Sequence, residues 1–248
     1  MPRRLIAAAV TATALLLATT APPSLASLAD LYKFLERAER MAVPTHILRA
    51  ELDIITGDGD PVEAVLFVSP GDEPRMVIDI PAADWRALLP FAWGKGLVAR
   101  GERRPVSMSV DEVIPGTDLR PMEFFAFWKT DYSTTFVSDE STNEKTVSLY
   151  PPETVPYELF VIGFDKARMV PLTSKYYTGT MSNLSRLRLD SKHIMVGSRQ
   201  RPTRIEIRDY GENRTTTVEL AWSVLAELPD GITTDAGFHL AVLSLDGS

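Results

Sequence analysis

The hydrophobic period of the chain changes once, near its start. Over LADLYKFLERAERM the apolar side chains Leu28, Leu31, Leu35 and Ala38 recur at the 3.6-residue spacing of one helix face. From HILRAELDIIT onward the period is two. Leu48, Ala50, Leu52 and Ile54 alternate there with Arg49, Glu51 and Asp53, as a strand with one wetted side requires. GDGDP reads as a turn, VEAVLFVS as the returning strand of a hairpin, and RMVIDI as a third strand.

The meander is then interrupted. PAADWRALLPF and GTDLRPMEFFAFW read as two short helices, the first with Trp85, Leu88 and Leu89, the second with Leu119, Glu123 and an aromatic cluster. Between them lie a glycine-rich connection, WGKGLVARGERRP, and a further strand, VSMSVDEV. This region is more aromatic than a sheet edge needs, which suits a lid. The second half returns to strands: YSTTFVSD, EKTVSLYPP, YELFVIGFD, MVPLTSKYY, LSRLRLDS, TRIEIRDY and RTTTVELAWSVLAEL. The last alternates most clearly, with Val218, Leu220, Trp222 and Val224 on one side and Thr217, Glu219 and Ser223 on the other. The expected fold is therefore α+β, mainly β: roughly ten to eleven antiparallel strands forming a barrel or large curved sheet with a single apolar face. No internal repeat or low-complexity tract is present.

The first residues place the protein outside the cytoplasm. Arg3 and Arg4 precede an apolar run from Leu5 to Ala18, followed by small residues, which is the pattern of a secretory signal peptide. Cleavage after Ala26 or Ala29 satisfies the small-x-small rule, and the run is shorter than the roughly 20 residues of a membrane span. The Arg pair leaves Sec and twin-arginine export both open. With no cysteine there is neither a lipidation site nor a disulfide, so stability must come from packing. A single domain over 27–248, soluble in the periplasm, is expected. A 45% hydrophobic content suffices for its core, and a formal charge of −7 argues against a nucleic-acid partner.

Candidate chemistry starts from Asp118 and Glu123, two carboxylates beside aromatics. They are five positions apart across a turn-to-helix boundary, so they need not share a face. Thr117 or Asp118 suits an N-cap ahead of Pro121, with Glu123 favourably placed near the positive helix terminus. No Gly-x-Ser-x-Gly elbow and no Walker loop occurs. His46, His193 and His239 are scattered, so neither a metal nor any other cofactor is expected. The sequons at Asn183 and Asn213 carry little weight. Arg100, Arg103 and Arg104, and likewise Arg199, Arg201 and Arg204, form short basic runs that suit solvated loops or transient contact with anionic lipid headgroups. A sheet with one apolar face must be covered, and few short helices remain to do it. Incomplete cover would leave an apolar cavity.

GTDLRPMEFF resembles the Gly-[Ser/Thr]-Asp segment of the outer-membrane lipoprotein-sorting protein family, part of the LolA/LppX/LprG-like superfamily. YELFVIGFDKARMVPLTSKYY is similar to that family's strand-turn-strand, and RPTRIEIRDYGENRTTTVELAW to its C-terminal hairpin. The chain departs from the family pattern at Pro121, Met122 and Phe124. The resemblance implies an antiparallel half-barrel wrapped around helices that enclose a cavity for lipid or lipoprotein acyl chains. Gly116, Thr117, Asp118 and Glu123 would then fix the turn and helix beside the cavity without catalytic work. Leu52, Ile54, Leu66, Phe160, Ile162, Leu187, Ile205, Leu220 and Trp222 would line it, with Trp85, Leu89, Trp93 and Phe125 on the lid. The implied activity is that of a carrier serving an inner-membrane transporter or an outer-membrane acceptor. An envelope sensor or adaptor that uses the same half-barrel for a protein partner is the alternative, and an envelope hydrolase ranks last.

Overall fold

The structure is a computed structural model, described for residues 25–71, 75–90, 95–100, 105–109, 111–124, 134–151, 156–179 and 183–229. It opens with one helix, α1 (Leu25–Ala42), stopped by Pro44, whose fixed ring cannot continue a helical ladder. Leu31, Phe34, Leu35 and Ala38 form its buried stripe. The proposed leader lies on residues outside this description apart from the first residues of α1. Leu31 follows both candidate cleavage sites, so either cut would leave the stripe whole.

Among the described residues thirteen strands follow: β1 (Ile47–Thr56), β2 (Val62–Val68), β3 (Arg75–Ile80), β4 (Trp85–Pro90), β5 (Lys95–Arg100), β6 (Val106–Ser109), β7 (Thr134–Glu140), β8 (Glu144–Tyr150), β9 (Leu159–Asp165), β10 (Val170–Thr178), β11 (Asn183–Val196), β12 (Arg199–Asp209) and β13 (Arg214–Leu225). All belong to one antiparallel sheet in the order β6-β5-β4-β3-β2-β1-β13-β12-β11-β10-β9-β8-β7. Every neighbour is also a sequence neighbour except β1 and β13, which join the two halves of the meander. Strands β6 and β7 are its edges, so the sheet is open, a half-barrel rather than a closed one.

Alternation on β1 and β13 sets the concave face. Leu52 lies opposite Leu220 and Ile54 opposite Val218, and all four are buried. Helix α1 lies in this concavity, where the Phe34 ring meets Phe164 edge-on at 5.4 Å.

Three expectations need correction. PAADWRALLPF is not a helix: a 3-10 turn over Pro81–Ala83 ends at Asp84 in the left-handed region, and Trp85 then starts β4. WGKGLVARGERRP contains β5 rather than a bare connection. These two strands raise the count from about eleven to thirteen, and they put Trp85 and Leu89 into the sheet rather than onto a lid. Nor is there a single apolar face. Phe67, Val77, Leu88 and Ala99 point the other way from their core neighbours and form a second buried cluster with Leu225 and Leu228. Strands β2 to β5 are apolar on both sides, which removes the alternation that marks a strand and made WRALLP look helical.

Candidate functional site

The segment 111–124 folds over the concave side as a clasp. Gly116 turns the chain at φ +74°, a region that favours glycine. Thr117 Oγ1 donates to the Ile114 carbonyl at 2.9 Å and accepts from the Leu119 amide at 3.0 Å. The short helix expected here is a 3-10 turn over Pro121–Phe124. Glu123 reaches back to accept the Arg120 amide at 2.8 Å, which is half of a capping box. Asp118 faces outward toward Arg214, 3.3 Å away.

Glu123 does more than cap. Its carboxylate accepts Arg186 Nε at 2.6 Å and Nη2 at 3.3 Å, and both side chains are almost wholly buried. Arg186 also donates to Asp209 Oδ2 at 2.5 Å and to the Asp118 carbonyl at 2.7 Å. Two residues on, Arg188 donates to the Glu123 carbonyl and holds Asp190 through two bonds at 2.6 and 2.8 Å. The concave face of this part of β11 therefore reads Arg186, Arg188, Asp190. Burial pushes the Glu123 carboxyl up from its ordinary value, against the pull of Arg186 and of the Arg120 amide. Burial likewise works against the Arg186 charge, but Glu123 first, then Tyr157 and Asp209, raise it overall. The two shifts pull opposite ways on one pair, and the contacts decide for an ionised one. Every partner of the Glu123 oxygens is a donor, so none would accept a carboxyl proton. Arg120 meanwhile donates to Tyr157 at 2.6 Å, whose hydroxyl is pushed up to about 12 by burial.

Phe124, next to Glu123, lines a cavity of about 90 Å³ between the end of α1 and the sheet. Its floor is apolar: Leu48, Leu66, Val68 and Met76 from β1 to β3, with Ile205, Leu220 and Trp222 from β12 and β13. Met41 and Ala42 bound it on the helix side and Met169 beside β10. The Trp222 indole is fixed by donation to the Pro202 carbonyl at 2.7 Å. Polar groups come from β11 and β12: Arg188, Asp190, His193, Gln200 and Arg201. Lys192 takes φ +51°, which breaks the alternation of β11 and brings His193 to the cavity.

Of the residues expected to line a cavity, Leu66, Ile205, Leu220 and Trp222 do so. Leu52, Ile54, Trp85, Leu89, Phe160 and Ile162 are buried in the core instead. Leu187 is on the other side of β11 from Arg186 and Arg188, so its expected place is corrected to the convex face. The error arose from assigning the leucines of LSRLRLDS inward, whereas a buried acid from a distant segment admits the charged set. Trp93, Phe125 and His239 lie outside the described residues. Arg188, Asp190, His193 and Arg201 were not among the expected lining residues. The signal that could have found Arg188 and Asp190 is the RLRLD alternation read in its other phase, whereas His193 follows the break at Lys192 and Arg201 comes from β12. Among the described residues, no group of three His, Asp or Glu side chains is placed to hold a metal.

No family model and no curated sequence matches the chain. Solved structures do. A DUF1329 family protein from Desulfovibrio piger superposes with a TM-score of 0.71 at 14% identity, over 85% of this chain and 98% of that one. A putative outer membrane lipoprotein-sorting protein domain from Vibrio parahaemolyticus gives 0.69 at 11% identity, over 86% and 97%. The fold is that of the LolA-type half-barrels. A LolA superfamily protein from Nitrosomonas europaea gives 0.62 at 18% identity, over 82% and 97%. The resemblance first carried by GTDLRPMEFF thus holds at the level of the LolA-type fold, over most of the chain.

Proposed function

We propose that this protein is a periplasmic carrier that binds a lipid, or the acyl chains of a lipoprotein, in its concave cavity and moves it between envelope membranes or to a transporter. The observation that carries this reading is an apolar cavity at the end of α1, in a fold shared with a lipoprotein-sorting domain and a LolA superfamily protein. Each methylene buried there contributes about 0.8 kcal/mol before the cost of association. Met41, Met76 and Met169 in the wall are flexible and polarisable, so the wall can adapt to chains of different shape. The cavity holds a short length of chain as it stands, and longer cargo requires α1 to move outward. The leader at residues 1–26 would deliver the protein to the periplasm. Among the described residues, no helix is long and apolar enough to cross a membrane.

The test is native mass spectrometry of the protein purified without detergent from its own envelope, followed by solvent extraction. A stoichiometric added mass that extracts as lipid supports the carrier. A bare mass that stays bare after incubation with total envelope lipid counts against it. Leu220→Lys with Trp222→Glu should abolish retention, and unchanged retention would move the cargo site elsewhere.

A further inference from the structure

The charges that line the cavity do not cancel. Arg188 and Asp190 neutralise each other through their paired hydrogen bonds. Arg201, on β12, has no carboxylate partner among the described residues. Its Nη1 makes only long contacts, 3.4 Å to the Met41 carbonyl and 3.5 Å to the Gln200 carbonyl, and its Nη2 is buried without any hydrogen-bond partner. Burial, and then the neighbouring Arg199, hold the Arg201 guanidinium down at about 10. His193 lines the same cavity with its Nε2 likewise buried and unpartnered. The one acid in the wall, Asp190, is already taken.

A half-buried guanidinium without an anion is a costly arrangement. Capping of α1 accounts for only part of it. The Met41 carbonyl offers a partial charge at the limit of hydrogen-bond length and leaves Nη2 empty. A fork of N–H groups beside an apolar floor matches the two ends of one kind of molecule, and its sign is opposite to the −7 of the whole chain. We propose that the cavity takes an amphiphile bearing an anionic group, a carboxylate or phosphate, which Arg201 holds with His193 and Gln200 beside it, while the apolar part lies against Leu66, Ile205, Leu220 and Trp222. This rests on the carrier reading and names the chemistry of its cargo.

The test is calorimetric titration of the full chain with laurate, dodecyl phosphate, dodecanol and inorganic phosphate. The two charged amphiphiles should bind at least about tenfold more tightly than dodecanol, as a charge-assisted fork implies. In Arg201→Gln the margin should fall to within about threefold with dodecanol affinity unchanged, and Arg201→Lys should keep part of it. Laurate against dodecyl phosphate then tells a carboxylate from a phosphate headgroup. Equal affinity of the unaltered protein for laurate and dodecanol would overturn the anionic group and leave the carrier standing. Binding of no amphiphile would overturn both. Inorganic phosphate binding as tightly as dodecyl phosphate would replace the amphiphile with a free anion. The comparison on the unaltered protein needs no variant to fold.

Discussion

Arg186 on β11 donates its Nε to Glu123 at 2.6 Å across 63 positions of sequence, and the two side chains are 2% and 1% exposed. This contact ties the 3-10 turn to the sheet and so sets Phe124 at the cavity wall. Removing one partner strands the other charge in the interior. Glu123→Gln should therefore destabilise the fold by about 3–5 kcal/mol, measured by urea unfolding. Adding Arg186→Met should recover a large part of that loss, since Asp209 keeps the Gly211 and Glu212 amides as donors. Additive losses would show that the pair is not coupled.

Gly96 sits where β5 passes β4 too closely for a side chain. A Cβ there would lie 2.5 Å from Leu89 Cδ2 and 2.6 Å from the Leu88 carbonyl oxygen. Gly96→Ala should cost about 1–3 kcal/mol through overpacking. Gly57→Ala meets nothing within 4 Å but forces φ +58° on an alanine, and should cost about 1–2 kcal/mol. Thermal melts of the two would separate crowding from backbone strain, and a neutral Gly96→Ala would contradict the β4 to β5 packing.

His193 titrates against stability. Burial holds its imidazole below the ordinary value, ahead of the opposing pull of Asp190. The unfolded chain therefore binds the proton more readily than the folded one, and stability falls as pH drops from about 6.5 toward the folded value. The stability difference between the unaltered protein and His193→Gln should be flat above about pH 7 and shift against the unaltered protein below it. Denaturant midpoints at pH 7.5 and 5.5 would show this, and parallel curves would place the imidazole in solvent.

Arg201 should behave in the opposite sense to a structural arginine. Its folded value of about 10 lies below the ordinary one, so at neutral pH its charge costs stability, and the penalty lifts only as pH rises through about 10. Arg201→Met should thus raise the melting temperature of the ligand-free protein at pH 7, by roughly 1 kcal/mol in stability. A clear loss instead would mean that its contact with the end of α1 dominates.

Much of this fold is legible along the chain. The 3.6-residue stripe of α1 and the alternation of β1 and β13 follow from local rules, because each of those segments buries one side and wets the other. The turn bonds of Thr117 and the reach of Glu123 back to the Arg120 amide are equally local, although neither Thr117 nor Asp118 caps the 3-10 turn as expected. Strands β4 and β5 were hidden because both of their faces are buried, and an apolar run such as WRALLP carries no period to read. The inward turn of Arg186, Arg188 and Asp190 was hidden for a different reason. Whether a charge can be buried depends on a partner, and that of Arg186, Glu123, arrives from 63 positions away only when the clasp closes over the sheet. The sequence by itself determined a helix, a meander of strands and a tight turn. The tertiary structure decided which face of β11 looks inward, where the cavity lies, and that Arg201 stands in it unpaired. Those outcomes depend on contacts between distant segments, and no local pattern encodes them.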